Sequence, residues 1–231
     1  MLNKKLIVGL IPAKKLSLGL KNKNLRKING KSLAEIAIMN ATKSKYLDKV
    51  YVSTNSKKIF NISKNYKVNL IKRPESLCNN FAGSEEVISH FIKKLKKSEK
   101  KLDTTIVYLQ PTSPLRSHKD IDRAIKIFLN SKEESLVSVT RLNNKFLKTV
   151  ELKNNSLYEL NKKTLTKNRQ ELSNFYYLDG FIFLFTIRKF LKSRNFLNKS
   201  TPFYTNRKKA IDVDDLISFK AAKKILEKWK L

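Results

Sequence analysis

Apolar residues along this chain occur in short runs, and the stretches between the runs carry apolar residues at helical spacing. The short runs have the length and the β-branched content of buried strands. Five of them come before residue 142: KLIVGLIP (5–12), KVYVST (49–54), KVNLIKRP (67–74), TTIVYLQP (104–111) and ESLVSVTR (134–141). This pattern predicts strands separated by longer elements.

The intervening stretches place apolar residues three and four positions apart, which predicts amphipathic helices. These helices are expected over residues 32–45, 56–66, 84–101 and 120–131. Ser84 is expected to cap the third of them, because acids follow it in the first turn. The succession of βα units predicts a three-layer, Rossmann-like α/β fold with a mostly parallel sheet and helices on both faces.

The rhythm changes after about residue 141. The segment LKTVELKNNSLYELNKK (147–163) predicts a β-hairpin with an Asn-Asn turn, and no helix follows that could cover it. FIFLFTI (181–187) predicts a further strand, and DDLISFKAAKKILEKWK a final helix. With no internal repeat or flexible linker, we expect one domain over residues 1–231 with an inserted arm at about 141–175.

Composition agrees with a folded domain, since 41% of the 231 residues are hydrophobic. The single cysteine, Cys78, excludes an intramolecular disulfide and a cysteine-rich zinc site. No apolar run approaches the roughly 20 residues of a membrane helix. The first apolar run ends in Pro-Ala-Lys-Lys, so it predicts a buried strand better than a signal peptide. We therefore expect a cytoplasmic protein without a membrane partner.

The formal charge of +31 raises the possibility of nucleic-acid binding. However, only nine of the 50 basic residues are arginine, and the lysines are spread over nearly every element. That distribution favours a general lysine bias with diffuse positive potential. The lysine runs at 93–101 and 207–209 are interpreted as solvated surface. We expect no nucleic-acid partner, although a basic nucleic-acid-binding protein remains an alternative.

Chemically distinctive residues follow the predicted strands. In parallel α/β sheets, ligands bind at the carboxyl ends of the strands. At these ends lie IPAKKLSLGLKNKN (11–24), Arg73-Pro74, LQPTSPLR (109–116) and IDVDDL (211–216). Cations, amides and a carboxylate pair suit an anionic ligand held together with Mg²⁺. Such a set of side chains is typical of a transferase that uses a nucleotide.

Taken in order, the motifs IPA-K-x-x-S-x-GL-x-x-KN, RPESL, LQPTSPLR, RQ followed by Y-x-x-D-G, and IDVDDL resemble those of the CMP-sialic acid synthetases, the acylneuraminate cytidylyltransferases. The resemblance covers nearly the whole chain. It implies a nucleotidyltransferase fold with a β-hairpin dimerisation arm. It also implies a Mg²⁺-dependent reaction that joins CTP to the anomeric hydroxyl of a nonulosonic acid and releases pyrophosphate.

The resemblance also implies roles for individual residues. Lys14 and Lys23 would hold the triphosphate, and Asn24 would hydrogen-bond the ribose. Arg73 and Ser84 would read the cytosine, since an arginine fork suits a base edge.

On the acceptor side, the resemblance implies that Gln110, Arg169, Tyr176 and Asp179 face the sugar acid. Asp212 and Asp214 would bind Mg²⁺. The residues implied in catalysis are Lys14, Lys23, Asp212 and Asp214.

Three positions depart from the family pattern. The family usually has arginine where this chain has Lys14, and lysine keeps the charge but loses the bidentate fork. It usually has asparagine where this chain has Asp179, and an acid there would repel a sugar carboxylate. A tyrosine is usual at the position of Phe183. The nucleotide half of the site therefore matches better than the sugar half.

Several structural interpretations remain open beside these roles. Asp212 and Asp214 could cap the C-terminal helix, because acids favour helix N-termini. Arg116 could pair with a helix acid. His90 and His118 are expected to be structural.

Two alternative functions within the enzyme class also remain open. One is a cytidylyltransferase for 3-deoxy-manno-octulosonate, against which the GLKNKN loop argues. The other is a degenerate member that binds CTP without turnover, an idea motivated by Lys14 and Asp179.

Overall fold

The computed structural model describes residues 5–16, 19–79, 82–143, 149–159, 174–194 and 198–229. Its strands are β1 (Ile7–Pro12), β2 (Lys27–Ile28), β3 (Lys31–Ser32), β4 (Lys49–Thr54), β5 (Asn69–Lys72), β6 (Thr105–Tyr108), β7 (Ser135–Arg141), β8 (Val150–Lys153), β9 (Ser156–Glu159), β10 (Tyr176–Thr186) and β11 (Thr201–Tyr204). Seven form one sheet in the order β11-β7-β10-β6-β1-β4-β5. Only β10 runs antiparallel to its neighbours in this sheet, so the predicted mostly parallel sheet is confirmed.

Helices cover both faces of this sheet, as predicted. They are α1 (Leu33–Thr42), α2 (Lys57–Ser63), α3 (Ser84–Lys94), α4 (His118–Leu129), α5 (Ile187–Ser193) and α6 (Leu216–Lys228). Alternate residues of β1 enter different cores: Ile11 packs with α1, α2 and α4, whereas Leu10 packs with α3 and α5. A third cluster joins α6 to the loop after β1 through Phe219 and Leu20. Among the described helices none could span a bilayer, and the longest has 13 residues.

The order of the strands creates a crevice beside β1. The chain runs from β1 outward to β4 and β5, and then returns to place β6 on the other side of β1. Such a reversal of strand order leaves an open crevice at the carboxyl ends, where α/β proteins bind ligands. The loops expected to carry chemistry after β1, β5 and β6 all open into this crevice.

The third predicted helix differs from its expectation at both ends. Gly83 is the N-cap, and its backbone N–H donates to Glu86 Oε2 at 2.9 Å, so Ser84 is the first helical residue. The helix stops at Lys94 and does not continue to 101. Glu99 explains the early stop, since its buried carboxylate accepts hydrogen bonds from Lys49 and Tyr51 of β4. A tertiary contact thus overrides helical periodicity.

Other differences concern the C-terminal half. β10 begins at Tyr176, earlier than the predicted 181, and an irregularity in its pairing lies between Leu178 and Phe183. The helix α5 and the strand β11 were not predicted. β11 is a four-residue edge strand that contains Pro202, and such a strand lacks a clear sequence signal.

The predicted hairpin is present as β8 and β9, which pair antiparallel around Asn154 and Asn155. Both turn residues have positive φ, 47° and 60°, as a two-residue hairpin turn of this kind requires. Leu152 faces Leu157 across the pair, and their exposed fractions are 66% and 70%. The hairpin therefore presents an apolar face to solvent.

Candidate active site

A cleft of about 410 Å³ lies at the carboxyl ends of β1, β5 and β6. It is lined by residues from the loop after β1, the start of α3, the segment after β6 and the loop before α6: Pro12, Lys14, Gly19, Lys23, Asn24, Arg73, Ala82, Gly83, Ser84, Val87, Tyr108, Gln110, Pro111, Thr112 and Asp214. Seven of the residues predicted to form the site are among them. The cleft thus brings together most of the residues predicted for the nucleotide side, while Asp212, Tyr176 and Asp179 do not line it.

The loop after β1 closes one wall of this cleft. Lys23 Nζ lies 2.7 Å from Asp214 Oδ1, and the Lys23 side chain is only 15% exposed. Asn24 is buried and donates from Nδ2 to the carbonyl of Lys14 at 2.9 Å. A β-carbon on Gly19 would lie 2.5 Å from the carbonyl oxygen of Asp214, so only glycine allows this approach. These contacts hold the loop after β1 against the segment that carries Asp212 and Asp214.

Lys14 spans the mouth of the cleft, where its Nζ donates to the carbonyl of Asn79 at 3.1 Å. Its neighbour Lys15 is turned away, and the backbone N–H of Lys15 donates to Asn55 Oδ1 at 2.8 Å. The two consecutive lysines therefore differ in role, and only Lys14 places its charge in the cleft.

One end of the cleft is formed by Arg73, Ser84 and Tyr108. Arg73 is buried, and its guanidinium donates to the side chain and carbonyl of Ser53 at 3.2 and 3.0 Å. Tyr108 Oη donates to Ser84 Oγ at 3.3 Å. Burial lowers the pKa of Arg73 and raises that of Tyr108, while each group opposes the shift of the other. This end thus offers a desolvated cation and hydroxyls, which suit a polar ring edge.

Gln110, which lines the cleft, and Asp212 both lie close to Gly180. A β-carbon on Gly180, which has a φ of +69°, would lie 3.3 Å from Gln110 Oε1 and 3.5 Å from Asp212 Oδ2. Val213 N donates to the carbonyl of Thr112 at 2.8 Å and ties the aspartate segment to the segment after β6 that carries Gln110. Three separate elements meet here.

The two aspartates predicted to bind metal do not cap the final helix. Asp215 is the N-cap of α6, and its Oδ1 accepts from Ser218 N at 2.7 Å. Burial raises the pKa of Asp212, with a contribution from Asp214, although a hydrogen bond from Thr112 opposes the shift. The helix-capping interpretation of Asp212 and Asp214 is therefore wrong.

The donor set at this point suits Mg²⁺. Within the described residues no group of three or more His, Cys, Asp or Glu side chains could hold a metal, so the candidates are the pair Asp212 and Asp214. Mg²⁺ is commonly bound by one or two carboxylates together with substrate phosphates and water. Two neighbouring carboxylates, one with its pKa raised partly by the other, favour a bound cation.

Three sugar-side predictions have different outcomes. Asp179 is buried behind the cleft, where Oδ2 accepts from Thr140 Oγ1 at 2.7 Å and Oδ1 from Phe181 N at 3.1 Å. Its carboxylate therefore does not face a sugar carboxylate. Tyr176 is exposed, outside the cleft lining, and its ring lies 5.3 Å from that of Tyr204. Arg169 lies outside the described residues.

Four other residues considered in the sequence analysis do not line the cleft: Arg116, His90, His118 and Cys78. Arg116 does not pair with a helix acid, because it donates to backbone carbonyls, and Asp120 is held by Lys209. His90 lies on α3 and His118 at the start of α4, and neither lines the cleft. Cys78 is buried, and burial raises its thiol pKa.

Sequence reasoning missed Tyr108 and Gly180. Tyr108 lies two residues before Gln110, so the two-residue period of a strand puts both side chains on one side. The sequence YLQPTSPLR (108–116) therefore contained the information that Tyr108 and Gln110 lie on the same side. Gly180 depends on the irregular pairing of β10 with β7, which no local pattern reveals.

Comparisons with known proteins identify the family of this chain. A family model described as cytidylyltransferase matches residues 8–228. The chain is 30% identical over 224 residues to an N-acylneuraminate cytidylyltransferase of Escherichia coli, covering 96% of this chain and 52% of that protein. It is 27% identical to a CMP-N,N'-diacetyllegionaminic acid synthase of Legionella pneumophila, covering 96% of both. The chain thus spans about half of the first relative and nearly all of the second.

Among solved structures, a CMP:2-keto-3-deoxy-manno-octonic acid synthetase complexed with CTP superposes with a TM-score of 0.71 at 12% identity. The match covers 97% of this chain and 100% of that one. A 4-diphosphocytidyl-2C-methyl-D-erythritol synthase superposes with a TM-score of 0.69, also at 12% identity. At this identity the superpositions establish a shared nucleotidyltransferase fold.

Proposed function

Because this chain belongs to the cytidylyltransferase family, we propose that it transfers CMP from CTP to the anomeric hydroxyl of a nonulosonic acid. The class of enzyme, a nucleotidyltransferase, follows from the family. The observation that carries the proposal is one cleft lined by Lys14, Lys23, a desolvated arginine and Asp214, with the carboxylate of Asp212 close enough to interact with that of Asp214.

The nucleotide would lie along the cleft from Arg73 toward Asp214. Lys14 and Lys23 supply positive charge for the triphosphate, and lysine binds phosphate as a point charge. Arg73 and Ser84 line the far end and would read the cytosine. Because the guanidinium of Arg73 is already held by Ser53, it presents a fixed donor to the base and needs little reorganisation.

The carboxylates of Asp212 and Asp214 would hold Mg²⁺, which would neutralise charge on the triphosphate. Lys23 lies beside Asp214, so metal, phosphate and ammonium charges would balance one another at this point. Removal of the divalent cation with EDTA is expected to abolish turnover.

In the reaction, the anomeric hydroxyl of the acceptor gives up its proton to solvent, and its oxygen forms a bond to the α-phosphorus of CTP. The bond from that phosphorus to the bridging oxygen breaks, and pyrophosphate leaves. Catalysis of this kind depends mostly on positioning and on charge stabilisation. Gln110, which also lines the cleft, would orient the acceptor.

The acceptor class is proposed from the relatives. Their names specify N-acylneuraminate, N,N'-diacetyllegionaminic acid and, for a Campylobacter jejuni protein at 25% identity over 93% of both chains, pseudaminic acid. These are all nine-carbon sugar acids. The octonic acid synthetase is a neighbour in fold alone at 12% identity, so it does not favour the eight-carbon alternative.

We also propose that the protein is a homodimer. The exposed apolar face of β8 and β9 supports this, because an isolated two-stranded hairpin is only marginally stable in water. A second chain that covers this face would remove the apolar surface from water.

The decisive experiment measures pyrophosphate release with CTP, Mg²⁺ and a panel of nonulosonic acids. Parallel reactions contain 3-deoxy-manno-octulosonate, UTP in place of CTP, or EDTA. Release that requires CTP, metal and one nonulosonic acid is the expected result. Release with the octulosonate alone would reassign the substrate. CTP-dependent thermal protection without release from any acceptor would identify a degenerate binder, and no response to CTP would overturn the proposal.

A further inference from the structure

Gly180 lies close to both the cleft-lining Gln110 and the proposed metal ligand Asp212. Its missing side chain lets Gln110 Oε1 and Asp212 Oδ2 approach to within about 3.5 Å of where a β-carbon would stand. Its φ of +69° belongs to the left-handed region that favours glycine. The spacing between this amide and this carboxylate therefore depends on the backbone position of residue 180.

Arg116 holds the backbone on both sides of that point. Its Nη2 donates to the carbonyl of Gln110 at 2.8 Å, and its Nη1 donates to the carbonyl of Phe181. One guanidinium thus joins the segment after β6 to the irregular part of β10. Nearby, Ser113 Oγ donates to the carbonyl of Gly180 at 3.1 Å and strengthens the same connection.

Keeping this arginine buried is costly for the fold. Arg116 is only 3% exposed. Burial lowers the pKa of its guanidinium to about 9, although the negative charges of Asp120 and Asp212 act to raise it. A buried guanidinium is stabilised only when its geometry and hydrogen bonding are good. A well-packed apolar side chain would often serve stability as well. The arginine is therefore better explained by what it positions.

We propose that Arg116 is a positioning residue that clamps the carbonyls of Gln110 and Phe181 and thereby sets the gap between the Gln110 amide and the Asp212 carboxylate. This inference rests on the proposed function, in which the acceptor hydroxyl lies in that gap. The nucleotide-side residues Lys14, Lys23 and Arg73 are outside the clamp. Loss of the clamp therefore affects the acceptor and the chemical step, and leaves CTP binding in place.

The test compares Arg116→Met, which keeps bulk but loses all donors, with Arg116→Lys, whose single nitrogen cannot reproduce the fork. We expect kcat to fall about 100-fold in the methionine variant, since misplacement by about 1 Å can cost that much. The KM for CTP should stay within about threefold, and lysine should recover only part of the loss. Arg123→Met is the matched control, because Arg123 is exposed on α4 and stacks on Phe203.

A second pair of variants tests the same gap from the other side. Gly180→Ala should reproduce the kinetic split of Arg116→Met. Gly30→Ala controls for backbone strain, because Gly30 has a similar φ of +79° but no atom within 4 Å of its would-be β-carbon. Activity should be unchanged in the Gly30 variant, apart from reduced thermal stability.

Hydrogen exchange supplies a readout that does not need turnover. In Arg116→Met, exchange should quicken in peptides covering residues 110–116 and 178–183 and stay constant in α3. Faster exchange throughout the sheet, or loss of CTP affinity in step with kcat, would show a merely structural role and overturn the proposal. If the wild-type protein turns over no acceptor, the proposed function fails, and unchanged local exchange would then overturn the clamp independently.

Discussion

At the scale of single residues, Lys23 lies beside Asp214 in the cleft, where this carboxylate and the proposed triphosphate would both require positive charge. Its ammonium donates a hydrogen bond to Asp214 Oδ1, and the Asp214 side chain is 72% exposed. Lys21, two positions earlier, is exposed and lines a separate groove near Lys58. The same residue type in the same loop therefore gives a matched comparison.

We expect Lys23→Ala to lower kcat/KM for CTP by about 10- to 100-fold, since charge-assisted hydrogen bonds contribute about 1.5–3 kcal/mol. Lys21→Ala should change it by less than about twofold, because exposed charges contribute little. Steady-state kinetics with varied CTP measures both. Equal losses in the two variants would contradict the assignment of Lys23 to the triphosphate.

At the scale of elements, the aspartates that precede α6 make different contacts. Asp215 caps the helix through Ser218, whereas Asp214 faces Lys23 across the cleft. Asp214 and Asp215 therefore make different contacts, although the sequence IDVDD does not distinguish between them.

Asp215→Ala should lower the midpoint of thermal unfolding by about 2–4 °C, because a helix N-cap is lost. Asp214→Asn should shift the midpoint by less than about 1 °C, since exposed ion pairs contribute little, but should abolish most activity. Differential scanning calorimetry and pyrophosphate release measure the two effects. The assignment fails if Asp214→Asn unfolds the protein or leaves turnover intact.

The turn after α3 is fixed by Glu99, a buried carboxylate at the opposite end of the sheet from the cleft. It accepts hydrogen bonds from Lys49 Nζ at 2.5 Å, Tyr51 Oη at 2.8 Å and Lys96 N at 3.2 Å. Burial alone would raise its pKa, but these hydrogen bonds outweigh burial and lower it. A carboxyl whose pKa is lower in the folded state stabilises the fold above its unfolded pKa.

That contribution is lost as the pH falls from the unfolded pKa of about 4.3 through the lower folded value. Glu99→Gln should therefore reduce the free energy of unfolding at pH 7 by about 1.5–3 kcal/mol. It should also weaken the dependence of stability on pH below about 4.3. Urea unfolding at pH 7 and pH 3.5 measures both, and an unchanged acid slope would contradict the proposed contacts.

At the scale of the whole molecule, the hairpin is the described element least covered by the rest of the fold. Val150, Leu152 and Leu157 share one of its faces, and each is more than 40% exposed. Exposed apolar patches of this kind mark interaction surfaces. The exposed aromatic residues Tyr176 and Tyr204 form a second apolar area.

Sedimentation velocity is expected to show a dimer that Leu157→Glu converts to monomer, because a charge in an apolar interface is costly. Leu191→Glu is the control, since Leu191 is 58% exposed on α5 and should leave the dimer intact. If the partner chain completes the acceptor site, the monomer should also lose activity. A fully active monomer would contradict that role.

The sequence by itself determined the class of fold and most of the nucleotide half of the site. Strand runs and helical spacing are local patterns, and parallel strands place their carboxyl ends at one edge. The sequence therefore predicts that Lys14, Lys23, Arg73 and Gln110 lie close together, and all four line the cleft. The resemblance of the motifs to a known family predicted the reaction, which composition alone did not.

Only the tertiary structure decided which groups face the cleft and which support it. Asp179, Arg116 and Asp215 carry the same charges as residues in the site, yet each is bonded to the backbone or to a helix end. The helix cap made by Asp215 is local, but the contacts of Asp179 with Thr140 and of Arg116 with Phe181 join segments 39 and 65 residues apart, so no local pattern encodes them. The position of Gly180 between Gln110 and Asp212 has the same origin, because it arises where three separate elements pack together.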